Sequence, residues 1–391
     1  MEGAGWPTGW QKKTMQALLY WESRPARLRR LVRRAAGPAA SANVRHIDPT
    51  QITLAAVQMR LEAVADLEGY ILRIVDLARQ AAAKGAQIVV FPEYAAVPLL
   101  GTLSGLQNGV QGEMPAAYPF AGDGDARGLL QVAGRAVLRV YTAIFSELAA
   151  ALGLYIHAGS AVLPGPGGQF HNTAHMFHPS GRLLATQAKV RLLPQEAAWG
   201  IVPGREITVA ETVLGRVGLP LGADALDWEY FRSLYLQGAD LALLPAAWPR
   251  GDQGEVAPGL SAAMVQGLWA RVQESPMFAL QASLVGEMDG ARLAGPTGIY
   301  GPCSLSPGGD GILAAARDHR SDAVVTAPVN MQALYKLRSQ LDLEASFNPF
   351  LYDRYLPQLF HRPAGRRADR QTGRPQRRVR PRKAGSPRRP S

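Results

Sequence analysis

The chain has 391 residues, 47% of them hydrophobic and one of them cysteine, and its 42 Lys and Arg outnumber 31 Asp and Glu for a net charge of +11. That apolar fraction suffices for one large α/β domain or two smaller ones, and no apolar run reaches the roughly 18 residues needed to cross a bilayer. A single cysteine excludes an internal disulfide and a cysteine-based zinc site, and with no short hydrophobic leader at the N-terminus the expectation is a soluble, cytoplasmic protein.

The elements follow in chain order. Residues 1–48 are expected to form a basic extension. It holds a short helix, with Trp21, Leu28, Leu31 and Val32 among Arg27, Arg29, Arg30, Arg33 and Arg34, and then a linker at Ala36-Gly37-Pro38-Ala39-Ala40-Ser41. Residues 49–360 read as the folded domain. Apolar periodicity predicts a strand at 52–58, a helix at about 64–84, a strand at 86–91, a helix at about 133–152 and a strand at 154–162. Between 98 and 128 lies a Gly- and Pro-punctuated stretch too long for a simple connection, of the kind that forms active-site walls. Neighbouring strands joined by turns follow at 171–178, 183–189, 206–212 and 215–221. A helix at about 227–237, a strand at 240–244, a helix at about 259–274 and strands near 277–283, 296–301, 311–317 and 322–327 complete the domain. Residues 361–391 carry 12 Arg and Lys against 1 Asp, almost without apolar residues, and are expected to be disordered. Residues 51–360 carry 21 basic and 27 acidic residues, so the basicity belongs to the ends.

Two strand ends carry chemistry. Gln87-Ile88-Val89-Val90-Phe91-Pro92-Glu93 is an apolar strand ending in a carboxylate, and Ala185-Thr186-Gln187-Ala188-Lys189 is a strand ending in an amine. A third apolar strand, Gly218-Leu219-Pro220-Leu221, arrives at Gly222-Ala223-Asp224. Further markers are Ile52-Thr53-Leu54-Ala55-Ala56-Val57-Gln58, Phe91-Pro92-Glu93-Tyr94, His171-Asn172-Thr173, Pro179-Ser180-Gly181, Gly215-Arg216-Val217-Gly218, Gln237-Gly238-Ala239-Asp240, Leu244-Pro245-Ala246-Ala247-Trp248 and Ala270-Arg271-Val272-Gln273-Glu274. In order, context and approximate spacing, residues 51–345 resemble the nitrilase, or carbon-nitrogen hydrolase, superfamily.

The resemblance implies a four-layer α-β-β-α sandwich, pairing of two copies into a homodimer, and a Glu-Lys-Cys site for non-peptide C–N bonds. It calls for no cofactor and no metal. Glu93 matches the general base, Lys189 the cation that stabilises the oxyanion, and Glu196 an auxiliary acid. Gly222 stands where the cysteine nucleophile belongs, and Ser283 where an Asn is common. Trp199 and Trp248 are candidate pocket walls. Such a site works by thiolate attack, proton transfer through the carboxylate and charge stabilisation by the cation. A glycine at 222 either relieves an unusual backbone angle in a decayed site or opens space beside Glu93 and Lys189 for a small ligand.

No other residue replaces the nucleophile readily. Cys303, in Tyr300-Gly301-Pro302-Cys303-Ser304, falls in a later strand and turn, and Asp224 suits a structural hydrogen-bonding role. His157, His171, His175 and His178 lack a metal-ligand spacing. Three functions stay open. The first is a degenerate hydrolase that binds a small amide, nitrile or carboxylate, or acts as a scaffold. The second is an active amidase-type hydrolase using water or an unorthodox nucleophile. The third is a dimeric platform whose basic tails, residues 362–391, contact polyanions. Against a specific tail function stands the bias of the whole chain, with 36 Arg to 6 Lys.

Overall fold

A computed structural model describes residues 13, 17, 19–37, 48–62, 64–102, 126–250, 267–288, 291–341, 348–350 and 352–354. The predicted tail at 361–391, most of the 98–128 stretch and the first half of the predicted 259–274 helix lie outside these residues. By its internal contacts the chain divides into Met1–Leu337 and Arg338–Ser391. The architecture below is that of the first unit.

The helices are α1 (Pro25–Ala36), α2 (Leu67–Ala83), α3 (Val97–Thr102), α4 (Ala126–Leu152), α5 (Pro194–Ala198), α6 (Trp228–Leu236), α7 (Leu268–Glu274) and α8 (Met331–Leu341). The strands are β1 (Ile52–Arg60), β2 (Ile88–Val90), β3 (Tyr155–Pro164), β4 (Phe170–Phe177), β5 (Leu183–Ala188), β6 (Val209–Thr212), β7 (Gly215–Gly218), β8 (Leu241–Ala246), β9 (Phe278–Met288), β10 (Ala291–Leu293), β11 (Gly298–Tyr300), β12 (Ile312–Ala315) and β13 (Ala323–Val329). Each strand and helix expected from periodicity within the described residues has its counterpart. Local patterning did not predict α3, α5, β10 and α8, three of which are six residues or shorter or belong to the site's own connections.

Pairing builds two sheets, one in the order β5-β4-β3-β2-β1-β13 and the other in the order β6-β7-β8-β9-β11-β12. A short parallel contact, Met59 with Leu284 and Arg60 with Val285, joins them. Alternation along β1 shows why they stack. Ile52, Leu54 and Ala56 enter a core shared with Val217, Leu243 and Leu280 of the second sheet. Ala55, Val57 and Met59 enter a separate core with Ile71 and Ile74 of α2 and Val140 and Phe145 of α4. Because successive strand residues point to opposite faces, one apolar strand supplies both cores, which is the signature of a sheet covered on both sides. On the far side of the second sheet, α6 lies so close that a Cβ on Gly218 would meet the Leu234 side chain at 2.7 Å. The result is the expected α-β-β-α sandwich.

Helix starts are chemically legible. Asp66 caps α2 by accepting a hydrogen bond from the Gly69 N–H at 2.7 Å. Pro25 opens α1, and its Leu28, Val32 and Ala36 are buried in the helix-side core while its arginines face outward. Arg33 of α1 forms an ion pair with Glu147 of α4. No helix among the described residues is long and apolar enough to cross a membrane.

His175 on β4 is buried between the rings of Tyr141 and Phe177. Burial pulls its pKa from 6.5 down to about 4, so the native ring stays neutral where the unfolded one charges. The sign follows: its stabilisation is complete above pH 6.5 and is lost as the pH falls towards 4. Urea titrations of wild type and His175→Phe at pH 7 and pH 4 should differ in pH dependence, the variant losing up to about 3 kcal/mol less on acidification.

Candidate functional site

The site lies at the C-terminal ends of the inner strands, where the backbone bends sharply. After β2 the chain passes Phe91 and Pro92 and reaches Glu93, and the next residue, Tyr94, has φ +59°. A positive φ is costly for a bulky side chain and is held here by tertiary contacts. The Tyr94 N–H donates to Ser160 Oγ at 3.0 Å. Gly159 makes the approach feasible, because a Cβ there would lie 1.9 Å from the Pro92 carbonyl oxygen. A single glycine on β3 thus lets the Glu93 segment sit against its neighbour.

Glu93, Lys189 and Glu196, 96 residues apart in sequence at the first step, converge in the interior and are each about 1% exposed. Lys189 Nζ donates to Glu93 Oε1 at 2.7 Å and pairs with Glu196 Oε2 at 2.8 Å. Asn172 Nδ2, from β4, bridges the same carboxylates, at 2.8 Å to Glu93 Oε1 and 3.1 Å to Glu196 Oε1. Tyr94 Oη donates to Glu196 Oε1, and the Leu193 N–H donates to Glu196 Oε2 at 2.7 Å. The Ala247 N–H, just beyond β8, donates to Glu93 Oε2 at 3.0 Å. The two sheets therefore meet at one carboxylate.

The charges follow from this packing. Burial raises the Glu93 pKa, and the Lys189 charge opposes that rise while Glu196 adds to it. Burial also acts against ionised Glu196, but Lys189 and the Tyr94 and Leu193 donors outweigh it and hold its pKa below the usual value. Burial acts against charge on Lys189 too, yet the two carboxylates raise its pKa and keep the amine protonated. The two acids thus separate in character, with Glu196 a fixed anion and Glu93 the one that more readily takes a proton.

Gly222 begins a 3-10 turn, Gly222–Leu226, with φ +42°. A Cβ built on it would point at Glu93, 2.4 Å from Oε2 and 3.0 Å from the carboxyl carbon. A side chain at 222 would therefore meet Glu93 directly. The Glu93 carboxylate itself fills that direction, so the glycine has not left open space between them, and the positive φ fits the other sequence expectation, backbone relief. Asp224 anchors the turn. Its Oδ1 accepts from the Val190 and Arg191 N–H groups at 3.1 and 2.6 Å, and its Oδ2 from the Leu221 N–H at 3.0 Å. It ties the segment after Lys189 to the Gly222 turn, and burial pushes its pKa up to about 7 against the pull of those donors.

The remaining candidates separate. Trp248 is buried beside Ala246 and Leu226, one residue beyond the Ala247 N–H that holds Glu93. Trp199 ends α5, half-buried against the helix-side core. Ser283 pairs with Ala246 across β8 and β9 and donates its hydroxyl to the Pro296 carbonyl at 2.6 Å. Cys303 is remote: it follows Tyr300, which pairs with Ala279, itself opposite Ala242. From Ala242 to Ala247 the strand advances by about 17 Å, so the thiol lies towards the other end of the second sheet. Arg271 and Glu274 form an ion pair on α7 at 2.6 Å. His171 meets the Val202 carbonyl and His178 meets Ser180, away from buried His157 and His175. No group of three or more His, Cys, Asp or Glu among the described residues could hold a metal.

Asn172, Tyr94 and the Ala247 N–H are the partners that sequence reasoning did not assign. Asn172 sat in the His171-Asn172-Thr173 marker without a role of its own, and Tyr94 adjoined Glu93. A backbone N–H carries no sequence signal.

The fold and this cluster define a class, and comparison with known proteins agrees with it. The family model for carbon-nitrogen hydrolases matches residues 53–339, and the chain belongs to that family. It is 26% identical over 307 residues to a 2-oxoglutaramate amidase of Paenarthrobacter nicotinovorans, covering 76% of this chain and 90% of that one. It is 24% identical over 314 residues to Omega-amidase NIT2 of Danio rerio, covering 78% and 97%. Among solved structures it resembles a carbon-nitrogen hydrolase from Helicobacter pylori G27, with TM-score 0.58, 19% identity and coverage of 80% and 99%. A mutant of the amidase from Nesterenkonia sp. AN1 in complex with butyramide matches with TM-score 0.53, 22% identity and coverage of 76% and 97%.

Removing the cation should expose two buried carboxylates to each other. Lys189→Met is expected to lower the unfolding free energy at pH 7 by about 3–5 kcal/mol in urea titrations, the cost of an uncompensated buried charge. The deficit should shrink as the pH falls and Glu93 takes up a proton.

Proposed function

We propose that this protein is a carbon-nitrogen hydrolase homologue that retains the base and cation of its family's site in Glu93, Lys189 and Glu196 but has lost the nucleophile at Gly222, and that it binds a small amide without thiolate turnover. The observation that carries this reading is the direction of Gly222: a side chain there would project onto the Glu93 carboxylate, 2.4 Å from Oε2. The relatives support the substrate class. The Nesterenkonia amidase has been captured with an acetamide moiety added covalently at its active site cysteine, and two curated relatives are amidases by name. The only thiol here, Cys303, stands away from the cluster.

Electrostatics favours a neutral group against the cluster itself. Two carboxylates already share the single Lys189 charge, so a carboxylate placed against them would meet net negative charge in a buried setting, and any carboxylate of the ligand must lie away from the cluster. An amide, or a nitrile, adds no charge. Without the thiol, a C–N bond could still be cleaved by water that gives its proton to Glu93 while Lys189 stabilises the oxyanion; Glu93 then returns that proton to the departing nitrogen, and a carboxylic acid and ammonia are released. The raised Glu93 pKa favours that second reading. Homodimer formation rests on the family resemblance, and polyanion contact through residues 362–391 on tail composition.

Ammonia release from 2-oxoglutaramate and butyramide separates the two readings. The purified protein is expected to lie on the order of a millionfold below a thiol amidase, the loss seen when a hydrolase nucleophile is deleted. A useful rate abolished by Glu93→Gln or Lys189→Ala would overturn the degenerate reading. Gly222→Cys, although strained by φ +42°, should be modified by iodoacetamide at residue 222 faster than at Cys303, read by peptide mass spectrometry. Equal, slow labelling of both would remove position 222 from the site.

A further inference from the structure

Outside the Glu93 cluster, the described residues form a half-open groove of ≈ 440 Å³ between three segments distant in sequence. Tyr20, ahead of α1, forms one side. Gln131, Arg135 and Arg139 on α4 form the floor, and Pro164 and Phe170 at the β3–β4 turn form the other side. No lining residue is acidic, so the groove carries two guanidinium charges without a counter-charge in its walls.

The arginines are arranged rather than scattered. Four residues apart on one helix, they project from the same face with their Cβ atoms about 6 Å apart. Arg139 is held in place. Its Nε and Nη2 donate to the buried Ser23 Oγ at 3.0 and 2.9 Å, and its guanidinium lies 5.2 Å from the Tyr20 ring centroid. Ser23 Oγ in turn donates to the Tyr20 carbonyl at 3.2 Å, which fixes the segment that carries the ring. Two of the five guanidinium N–H groups are thereby used, and the others remain for a ligand. Arg135 has no hydrogen-bond or ion-pair partner among the described residues. Its situation differs from Arg33 and Arg73 of the same helical layer, which pair with Glu147 and Asp322. Phe170 is braced against α4, since a Cβ on Gly134 would lie 3.1 Å from its Cε1.

We propose that this groove is a second binding site, for a small organic anion with a flat apolar body. Its charged group sits between Arg135 and Arg139, where guanidinium forks match carboxylate and phosphate oxygens, and its body lies against Tyr20 and Phe170. Phe170 is two residues before Asn172 on β4, so an occupant would rest on the strand that also delivers a ligand of the two buried carboxylates. The proposal does not depend on the amide reading.

Calorimetric titration of the full chain with benzoate, phenyl phosphate, benzyl alcohol and inorganic phosphate tests it. Benzoate or phenyl phosphate should bind, benzyl alcohol should not, and inorganic phosphate should bind more weakly than phenyl phosphate. Arg135→Ala, which removes an unpartnered exposed side chain, should weaken binding by about tenfold or more, the worth of a hydrogen bond to a charged group. Glu93→Gln should leave it unchanged. Failure of both aromatic anions to bind, equal binding of benzyl alcohol, or affinity insensitive to Arg135→Ala would overturn the proposal. Loss of binding in Glu93→Gln with none in Arg135→Ala would assign the anion to the other site.

Discussion

The structure around the site depends on one buried amine between two buried carboxylates. Lys189 reaches Glu93 at 2.7 Å and Glu196 at 2.8 Å, in a place with almost no solvent. Burying any one of these charges alone would cost several kcal/mol, and their mutual attraction offsets this only when geometry and further hydrogen bonds are good. That requirement recruits Asn172, Tyr94, the Leu193 N–H and the Ala247 N–H. It also explains why so many chain segments end at the same point: each contributes a donor to an acid or an acid to the amine.

The sandwich makes this convergence feasible. In the first sheet, β2 and β4 bring Glu93 and Asn172 side by side, while β5 delivers Lys189 beyond its end. The second sheet contributes the Ala247 N–H after β8 and the Gly222 turn after β7. Asp224 fastens that turn to Val190 and Arg191 through backbone N–H groups, so the lysine segment and the turn cannot move independently. The strain at Tyr94, at φ +59°, is local, and the surrounding packing sustains it. Gly222 adds the complementary constraint, because the space ahead of it belongs to Glu93.

The same helices that shield the first sheet also present basic surface. α1 packs Leu28 and Val32 inward and turns its arginines outward, and α4 buries one face while carrying Arg135 and Arg139 on another. Acidic body and basic periphery are therefore not separated by sequence position alone. Where a carboxylate is within reach the arginine is paired, as in Arg33 with Glu147; in the groove beside Tyr20 no lining residue supplies one.

The sequence alone was sufficient for the α/β class and the order of the main strands and helices, and it singled out Glu93, Lys189 and Glu196 as candidates. Alternating apolar strands and strand-end charges are local patterns, and the family motifs span most of the chain. It also showed that position 222 has no side chain and that the single thiol falls in a different segment. Tertiary structure alone decided which groups actually meet: that Asn172 and a backbone N–H complete the carboxylate cluster, that Glu93 fills the space ahead of Gly222, and that Arg135, Arg139 and Tyr20 share a groove. These depend on distances between residues tens to more than a hundred positions apart, and on φ values and backbone donors that residue letters do not record. Composition and periodicity specify which faces must be buried; only the packed chain specifies what each buried charge finds there.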